Sequence, residues 1–331
     1  MRVAALTVGF CLGLAVAALP PAASQAEAED FTMVSGFPES FVFTREIALP
    51  FMEKLSAATE GAAEITLSGP EVVPGFEQYE PVQAGVFDLL FTHPAYHAGA
   101  TALGLAIDAV DADPAARREA GIIEALDAHY REQGLKLIAA PPTGSDGFHY
   151  VLKDPITAEP AFEGRKIRGT VSYHPMIEAL GGSPVVMGGG EVYSALQTGV
   201  IDGAAWGLSG VKDFKWYEVA DYVTRPVFGQ VGLMIFMNLD RWESLDPALQ
   251  AKILEVGAQL ELDSVARFDA LAAEELAALK ELGMQETAFS PAEAAELDRL
   301  WSDGVWAVST AKAGAEAEAL RAKAKAAGLT Q

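Results

Sequence analysis

The chain is 331 residues long and carries a formal charge of −23, with 46 acidic residues against 23 basic ones. Such a surface repels nucleic acid and anionic lipid, and both drop out as partners. It also repels an anionic ligand at long range, so any basic side chain beside a predicted cleft is informative.

Arg2 precedes an apolar run, Val3 to Leu19, that stops at Pro20-Pro21, and Ser24-Gln25-Ala26 puts small residues where cleavage is determined. This reads as a signal peptide over residues 1–26, cut after Ala26, that sends the protein to the periplasm. A retained anchor helix is the alternative, but the run is marginal for a span and Pro-Pro interrupts it. Cys11, the single cysteine, lies inside this segment behind Phe10, where a lipoprotein signal needs a small residue. The mature chain then has no disulfide and depends on its core, which roughly 305 residues can supply. No long apolar stretch follows, so the mature chain is not expected to insert into a membrane.

Phe41 to Ala58 has a helical pattern with Pro50 in its middle, where the missing N–H predicts a kink. Glu64-Ile65-Thr66-Leu67 alternates as a strand, and Phe87 to Thr92 is a continuous, buried one. A helix is expected over Ala115 to Gln133, then a strand over Leu135 to Ala139 that ends at Pro141-Pro142. The pattern resumes with a strand at Lys166 to Gly169, a helix from Tyr173, a strand at Pro184 to Met187, a helix at Glu191 to Thr198 and a strand at Val200 to Ala204. The sheet is expected to end around Leu233 to Asn238. Asp246-Pro247 then opens a helix, Asp as N-cap and Pro at the first position, that runs to Leu282, about 54 Å. Its apolar stripe reads Leu249, Ile253, Val256, Leu260 and then changes phase to Val265, Phe268, Leu271. Either its two halves pack on different bodies, or the stripe drifts around a curved helix. Ala311 to Ala327, rich in Ala, Glu and Lys, reads as a terminal helix. Strands separated by helices give an α/β fold with helices on the sheet faces.

Motifs of catalysis are sparse. There is no G-x-S-x-G elbow and no P-loop, and no cofactor is implied. Gly188-Gly189-Gly190 precedes a helix, but Glu191 follows and places a carboxylate where a phosphate would sit. His93-Pro-Ala-Tyr-His97 sets two imidazoles four apart, a spacing that suits a metal on a helix. Pro94 and the missing HExxH context argue against that. A polar loop at a strand end, where open α/β sheets bind ligands, is the better reading, with a plain surface loop as the alternative.

The segment from Phe162 to Thr224 carries FEGRKIRG, then LGGSPVVMGGGEVYSALQTGVIDGAAWG, then YEVADYVT. It resembles the binding-protein component of TRAP (tripartite, ATP-independent) transporters, the dicarboxylate-binding-protein-like family. That family follows a G-x-K-[IL]-R strand with LG-x-x-P, E-V-Y-x-A-L-Q-x-G-x-[IV]-D-G and a Y-x-T strand. GPEVVPGFEQYEPVQAGVFDLLF and Asn238-Leu-Asp-Arg-Trp-Glu-Ser-Leu also resemble family segments, so the likeness covers essentially the whole mature chain.

The resemblance implies a two-domain periplasmic binding protein-like clamp with the ligand cleft between its domains and the long helix spanning both. Domain I would take residues 27–146 and 236–275, and domain II 147–235 and 276–331. Arg168 inherits the role of pairing with a substrate carboxylate, which a guanidinium fork meets with two charge-assisted hydrogen bonds; a surface strand arginine is the alternative. Glu191 would orient Arg168 or nearby water, or simply cap its helix. Trp206 would be a flat pocket wall, or a core tryptophan. Where many members carry a second arginine after Gly-[Phe/Tyr], His149 stands here, which favours a monocarboxylate over a dicarboxylate. Tyr96, His97, Tyr173 and Asn238 complete the expected polar contacts. The function implied is non-catalytic capture of a small organic acid and delivery to the TRAP membrane permease subunits, with no metal. An extracytoplasmic ligand sensor for a receptor, or an exported enzyme, are the rival readings.

Overall fold

In the computed structural model, which describes residues 29–331, the strand–helix alternation builds two separate sheets. The expected leader and its cut after Ala26 lie outside the described residues. The strands are β1 (Glu29–Ser35), β2 (Ala63–Ser68), β3 (Leu89–Thr92), β4 (Leu135–Ala139), β5 (Phe148–Leu152), β6 (Lys166–Arg168), β7 (Ser183–Val185), β8 (Gly203–Gly207), β9 (Tyr222–Arg225), β10 (Met234–Asn238) and β11 (Gln285–Ala288). The first sheet has the order β2-β1-β3-β10-β4, and the second β11-β9-β5-β8-β6-β7. β10 is the antiparallel strand of the first sheet, as β5 is of the second.

The chain leaves the first sheet through residues 140–147 and returns through 226–233, so each sheet is assembled from separated segments. The boundary expected at residue 236 falls inside β10, which pairs throughout with β3 and β4 of the first sheet.

The helices are α1 (Leu49–Ala58), α2 (Tyr79–Gln83), α3 (Pro114–Glu119), α4 (Ile122–Glu132), α5 (His174–Ala179), α6 (Val192–Thr198), α7 (Leu239–Glu243), α8 (Pro247–Glu281), α9 (Pro291–Ala313) and α10 (Ala315–Ala326). Pro50 falls in the first turn of α1. A π-helical stretch, Thr44–Ala48, precedes it and widens the turn where the proline N–H is missing. The helix expected over 115–133 breaks at Gly121, which takes the left-handed conformation at φ +68. The strand expected at Val200 to Ala204 is displaced to β8, and Val200 is exposed. The expected tail helix is two, divided at Gly314. The first of them, α9, starts on a capping box between Ser290 and Glu293 that signals a helix well before Ala311. α10 packs on α4, beside the first sheet, although residues 276–331 were expected in the second domain.

The long helix α8 opens as its sequence predicts, with the Asp246 side chain accepting from the Ala248 N–H and Pro247 in the first turn. Its halves do serve two bodies. The first half lies on α1 and β4, and so close to β4 that a Cβ on Gly257 would sit 2.8 Å from the Ile138 carbonyl oxygen. In the second half Phe268 still packs against Phe43 of the first lobe, while Glu275 reaches the loop after β8 in the second. Two buried carboxylates on this helix staple the lobes. Glu261 accepts from the Ala140 N–H at 2.7 Å, where the first crossing begins, and from Arg118. Glu275 accepts from the N–H groups of Gly210 at 2.8 Å and Lys212 at 2.9 Å in the loop after β8.

Replacing Glu275 leaves those two N–H groups without an acceptor. Glu275→Ala is expected to lower unfolding stability by about 2–4 kcal/mol in chemical denaturation. The exposed neighbour, in Glu274→Ala, should shift it by less than about 0.5 kcal/mol.

Candidate functional site

The second sheet brings β6 and β8 side by side in parallel, with Arg168 opposite Ala204. Their carboxyl ends therefore open on one edge, which carries Arg168, Thr170, Trp206 and Gly207. In the first sheet the loops after β1 and β3 supply Phe37, His93 and Tyr96 to the same space. Carboxyl ends of parallel strands thus face each other across one cavity of about 350 Å³, mouth included. Phe43, Phe148 and Tyr173 add aromatic walls. The Phe43 and Trp206 rings, one from each lobe, are parallel to within 6° with centroids 6.5 Å apart.

Arg168 is 1 % exposed. Its Nε and Nη2 donate to the Met187 carbonyl at 3.0 and 2.9 Å, and Nη1 donates to the Ala205 carbonyl at 3.1 Å. A guanidinium has five N–H donors, so two remain for a ligand. Its plane also lies 5.0 Å over the Trp206 ring. No carboxylate pairs with it among the described residues. Burial pushes its proton affinity down, and the neighbouring phenols of Tyr96 and Tyr173 partly oppose that. Burial likewise pushes the Tyr96 phenol up, while the Arg168 charge and the Gly189 N–H pull it back. A held, buried, unneutralised cation among neutral donors has the chemistry to receive an anion.

Of the eight residues expected at the site, Arg168, Tyr96, Tyr173 and Trp206 meet here. The other four do not. His149 lies next to Phe148 on β5, and strand alternation turns Phe148 to the cavity and His149 to a separate pocket under α8. His97 sits behind the wall, its Nε2 2.7 Å from the Tyr130 hydroxyl and its ring stacked on Tyr79. Asn238 caps α7 and donates to the carbonyls of Val82 and Gln83. Glu191 accepts from the Gly188 N–H at 2.7 Å at the start of its helical turn, is exposed, and makes no ion pair with Arg168.

His93 is the histidine of the pair that reaches the cavity. Its Nδ1 accepts from the Ala95 N–H, and its Nε2 lies 3.1 Å from the buried Asp108 carboxylate. Asp108 in turn accepts from the Gly232 N–H, fixing the second crossing. Phe37, Phe43, Phe148 and Thr170 were not anticipated. The aromatic-rich Phe37-to-Phe43 stretch was the available signal for two of them.

A sequence profile of the bacterial extracellular solute-binding proteins, family 7 (DctP), matches residues 42–303. The monocarboxylate 2-oxoacid-binding periplasmic protein of a Nostoc species is 25 % identical over 261 residues, covering 75 % of this chain and 70 % of the relative. The ectoine-binding periplasmic protein TeaA of Halomonas elongata is 32 % identical over 120 residues, 35 % of this chain and 34 % of that one. With this and a Haemophilus influenzae relative, the match spans little more than a third of the other protein's length. Among solved structures, a Bordetella pertussis extracytoplasmic solute receptor binding pyroglutamic acid superposes with a TM-score of 0.79 at 22 % identity, covering 90 % of this chain and 100 % of its own. A TRAP periplasmic solute-binding protein from Desulfovibrio salexigens with bound orotic acid gives a TM-score of 0.80, also at 22 % identity, with coverage of 90 % and 98 %. Both likenesses establish the two-sheet clamp fold.

His97 and His149 make the site region sensitive to acid. Burial pulls each imidazole down to about 3, below the ordinary 6.5 it regains on unfolding. The unfolded chain then binds more protons between those values, so stability is lost as pH falls below about 6.5. For one such group the loss at pH 5 is about 2 kcal/mol. His149→Gln is expected to shrink the stability difference between pH 7 and pH 5 by about that amount in urea titrations.

Proposed function

Because the chain belongs to family 7 of the bacterial extracellular solute-binding proteins, we propose that it is the periplasmic receptor of a TRAP-type transporter, exported by a leader removed near Ala26. It holds a small organic acid, a monocarboxylate, on Arg168 and hands it to the membrane permease subunits. The observation that carries this reading is the buried Arg168 guanidinium, fixed by two carbonyls, with two N–H groups unused and no carboxylate beside it. It sits where carboxyl ends of strands from both lobes converge, so one anion would touch both halves of the clamp.

The preference for one carboxylate rests on charge. Among the described residues, Arg168 is the only lysine or arginine lining the cavity. His93 has its Nδ1 on the Ala95 N–H and its Nε2 turned to Asp108, so neither nitrogen is directed at a second carboxylate. Of the two residues expected to favour one carboxylate, Trp206 lines the cavity and His149 faces elsewhere. The charge count of the cavity supports the same conclusion without it. A second carboxylate buried there without a partner would lose several kcal/mol of hydration. The Nostoc relative's name, a binder of monocarboxylate 2-oxoacids, points the same way.

Calorimetric competition at pH 8 tests both claims, setting 2-oxo acids and ring monocarboxylates against succinate and malate. The monocarboxylates should win. Arg168→Lys should weaken them about 100-fold, or about 2.7 kcal/mol, because a point charge cannot reproduce the fork. Tight succinate or malate binding with no monocarboxylate response overturns the preference, and unchanged binding by Arg168→Lys overturns the anchor.

A further inference from the structure

Behind the His93 wall of the cavity stands a carboxylate that no lysine or arginine pairs with among the described residues. Asp108 lies in the 3-10 segment Leu103–Ala109 of the first lobe and is fully buried. One of its oxygens accepts from the Gly232 N–H at 3.1 Å, and the other lies 3.1 Å from His93 Nε2. Its main-chain carbonyl accepts from the Trp301 indole at 2.8 Å and from the Gln230 N–H at 3.0 Å, which fixes its backbone. Arg117 is buried near enough to feel the charge of Asp108. It spends Nε and Nη2 on the carbonyls of Asp111, Ile107 and Val110 and forms no ion pair with Asp108.

His93 does not neutralise this carboxylate. Its Nδ1 accepts from the Ala95 N–H at 3.2 Å, so the proton of the ring sits on Nε2 and the imidazole adds no charge. The cavity is therefore polarised, with the Arg168 cation on its second-lobe wall and an anion behind its first-lobe wall. Tyr173, which lines the cavity, registers both charges. Burial raises its phenol most, the Asp108 charge raises it further, and the Arg168 charge pulls it back by less. In a space shielded from water, like charges repel far more strongly than they do in solvent.

We propose that Asp108 is a specificity-determining residue of the clamp: without touching the ligand, its charge behind His93 rejects a second carboxylate and favours an acid whose other end carries an N–H donor. The inference rests on Arg168 as the anchor of the first carboxylate. A ligand held there extends toward Tyr173 and His93, where the Tyr173 hydroxyl can accept from an amide or ring N–H. The scarcity of cations in the cavity explains why a second carboxylate gains nothing, and Asp108 adds an active penalty.

The test compares succinate with succinamate, which replaces one carboxylate by an amide of the same shape. Each is titrated by NMR into ¹⁵N-labelled protein at pH 8, up to tens of millimolar. The proteins are the native chain, Asp108→Asn, His93→Asn and the double variant. The native protein should bind succinamate about 10-fold more tightly than succinate, and Asp108→Asn should shrink that ratio to about 3-fold or less. Asp108→Asn keeps an acceptor for the Gly232 N–H but sets an amide N–H beside that of His93. His93→Asn removes the imidazole N–H and keeps an acceptor for the Ala95 N–H, so the double variant loses the same charge without that conflict. Its ratio should fall likewise below that of His93→Asn. A merely structural role of Asp108 would weaken both probes together and leave the ratios where they were. Ratios unchanged by Asp108→Asn in both backgrounds overturn the role of Asp108 and leave Arg168 as the anchor. Succinamate that fails to saturate the native protein also overturns the inference. Succinate bound as tightly as succinamate by the native protein overturns both the inference and the one-carboxylate reading.

Discussion

The guanidinium of Arg168 is held in a nearly dry place by the carbonyls of Met187 and Ala205, and no carboxylate answers its charge. Burial of an unpaired cation is unfavourable by several kcal/mol, and the surrounding architecture is what keeps it in position. The three residues of β6 place it, the turn at Met187 after β7 holds two of its donors, and β8 supplies both the Ala205 acceptor and the Trp206 ring beneath it. A charge fixed this way needs little reorganisation on meeting an anion. The strongly acidic remainder of the chain makes this cation a local exception.

The second requirement is that both lobes reach the same cation. Phe37, Phe43, His93 and Tyr96 come from the first lobe, and Trp206 and Tyr173 from the second, so the cavity exists only when the lobes are together. The long helix and the two crossings keep them in register. Glu261 and Glu275 lie fourteen residues apart on α8, about 21 Å, and each ends on backbone N–H groups of a different lobe. Asp108 adds a link from the first lobe to the second crossing, directly behind the His93 wall. These bonds tie the long helix and both crossings to the lobes.

Much of this was legible in the sequence because long, strongly patterned elements announce themselves. The helix from Pro247 was expected within one residue, and β4 was placed with the bounds it has. Arg168 and Trp206 are legible in family motifs, whereas Tyr96 and Tyr173 were expected only as supplementary polar contacts. What sequence could not resolve was parity and depth. Phe148 and His149 differ by one position on β5, and one position on a strand reverses the face. His93 and His97 share one short loop, yet its 3-10 turn, Pro94–His97, sends the second ring toward Tyr130. β5 is buried along its whole length and shows no alternation to betray it, while β11 pairs with β9 through mostly exposed residues. Asn238 and Glu191 were polar residues beside family motifs, and both turn out to close helix termini, a demand that sequence alone does not distinguish from ligand binding.

The measurement that bears most directly on the central claim is a thermodynamic cycle between the protein and its ligand. The affinities of the best-bound monocarboxylate and its carboxamide are determined for the native protein and for Arg168→Met. If the buried guanidinium exists to meet a carboxylate, the native protein discriminates strongly between the two molecules and the variant does not, with a coupling energy of about 3–5 kcal/mol. A coupling below about 0.5 kcal/mol, with the carboxylate still preferred by the variant, would contradict the account and assign the anion to other groups.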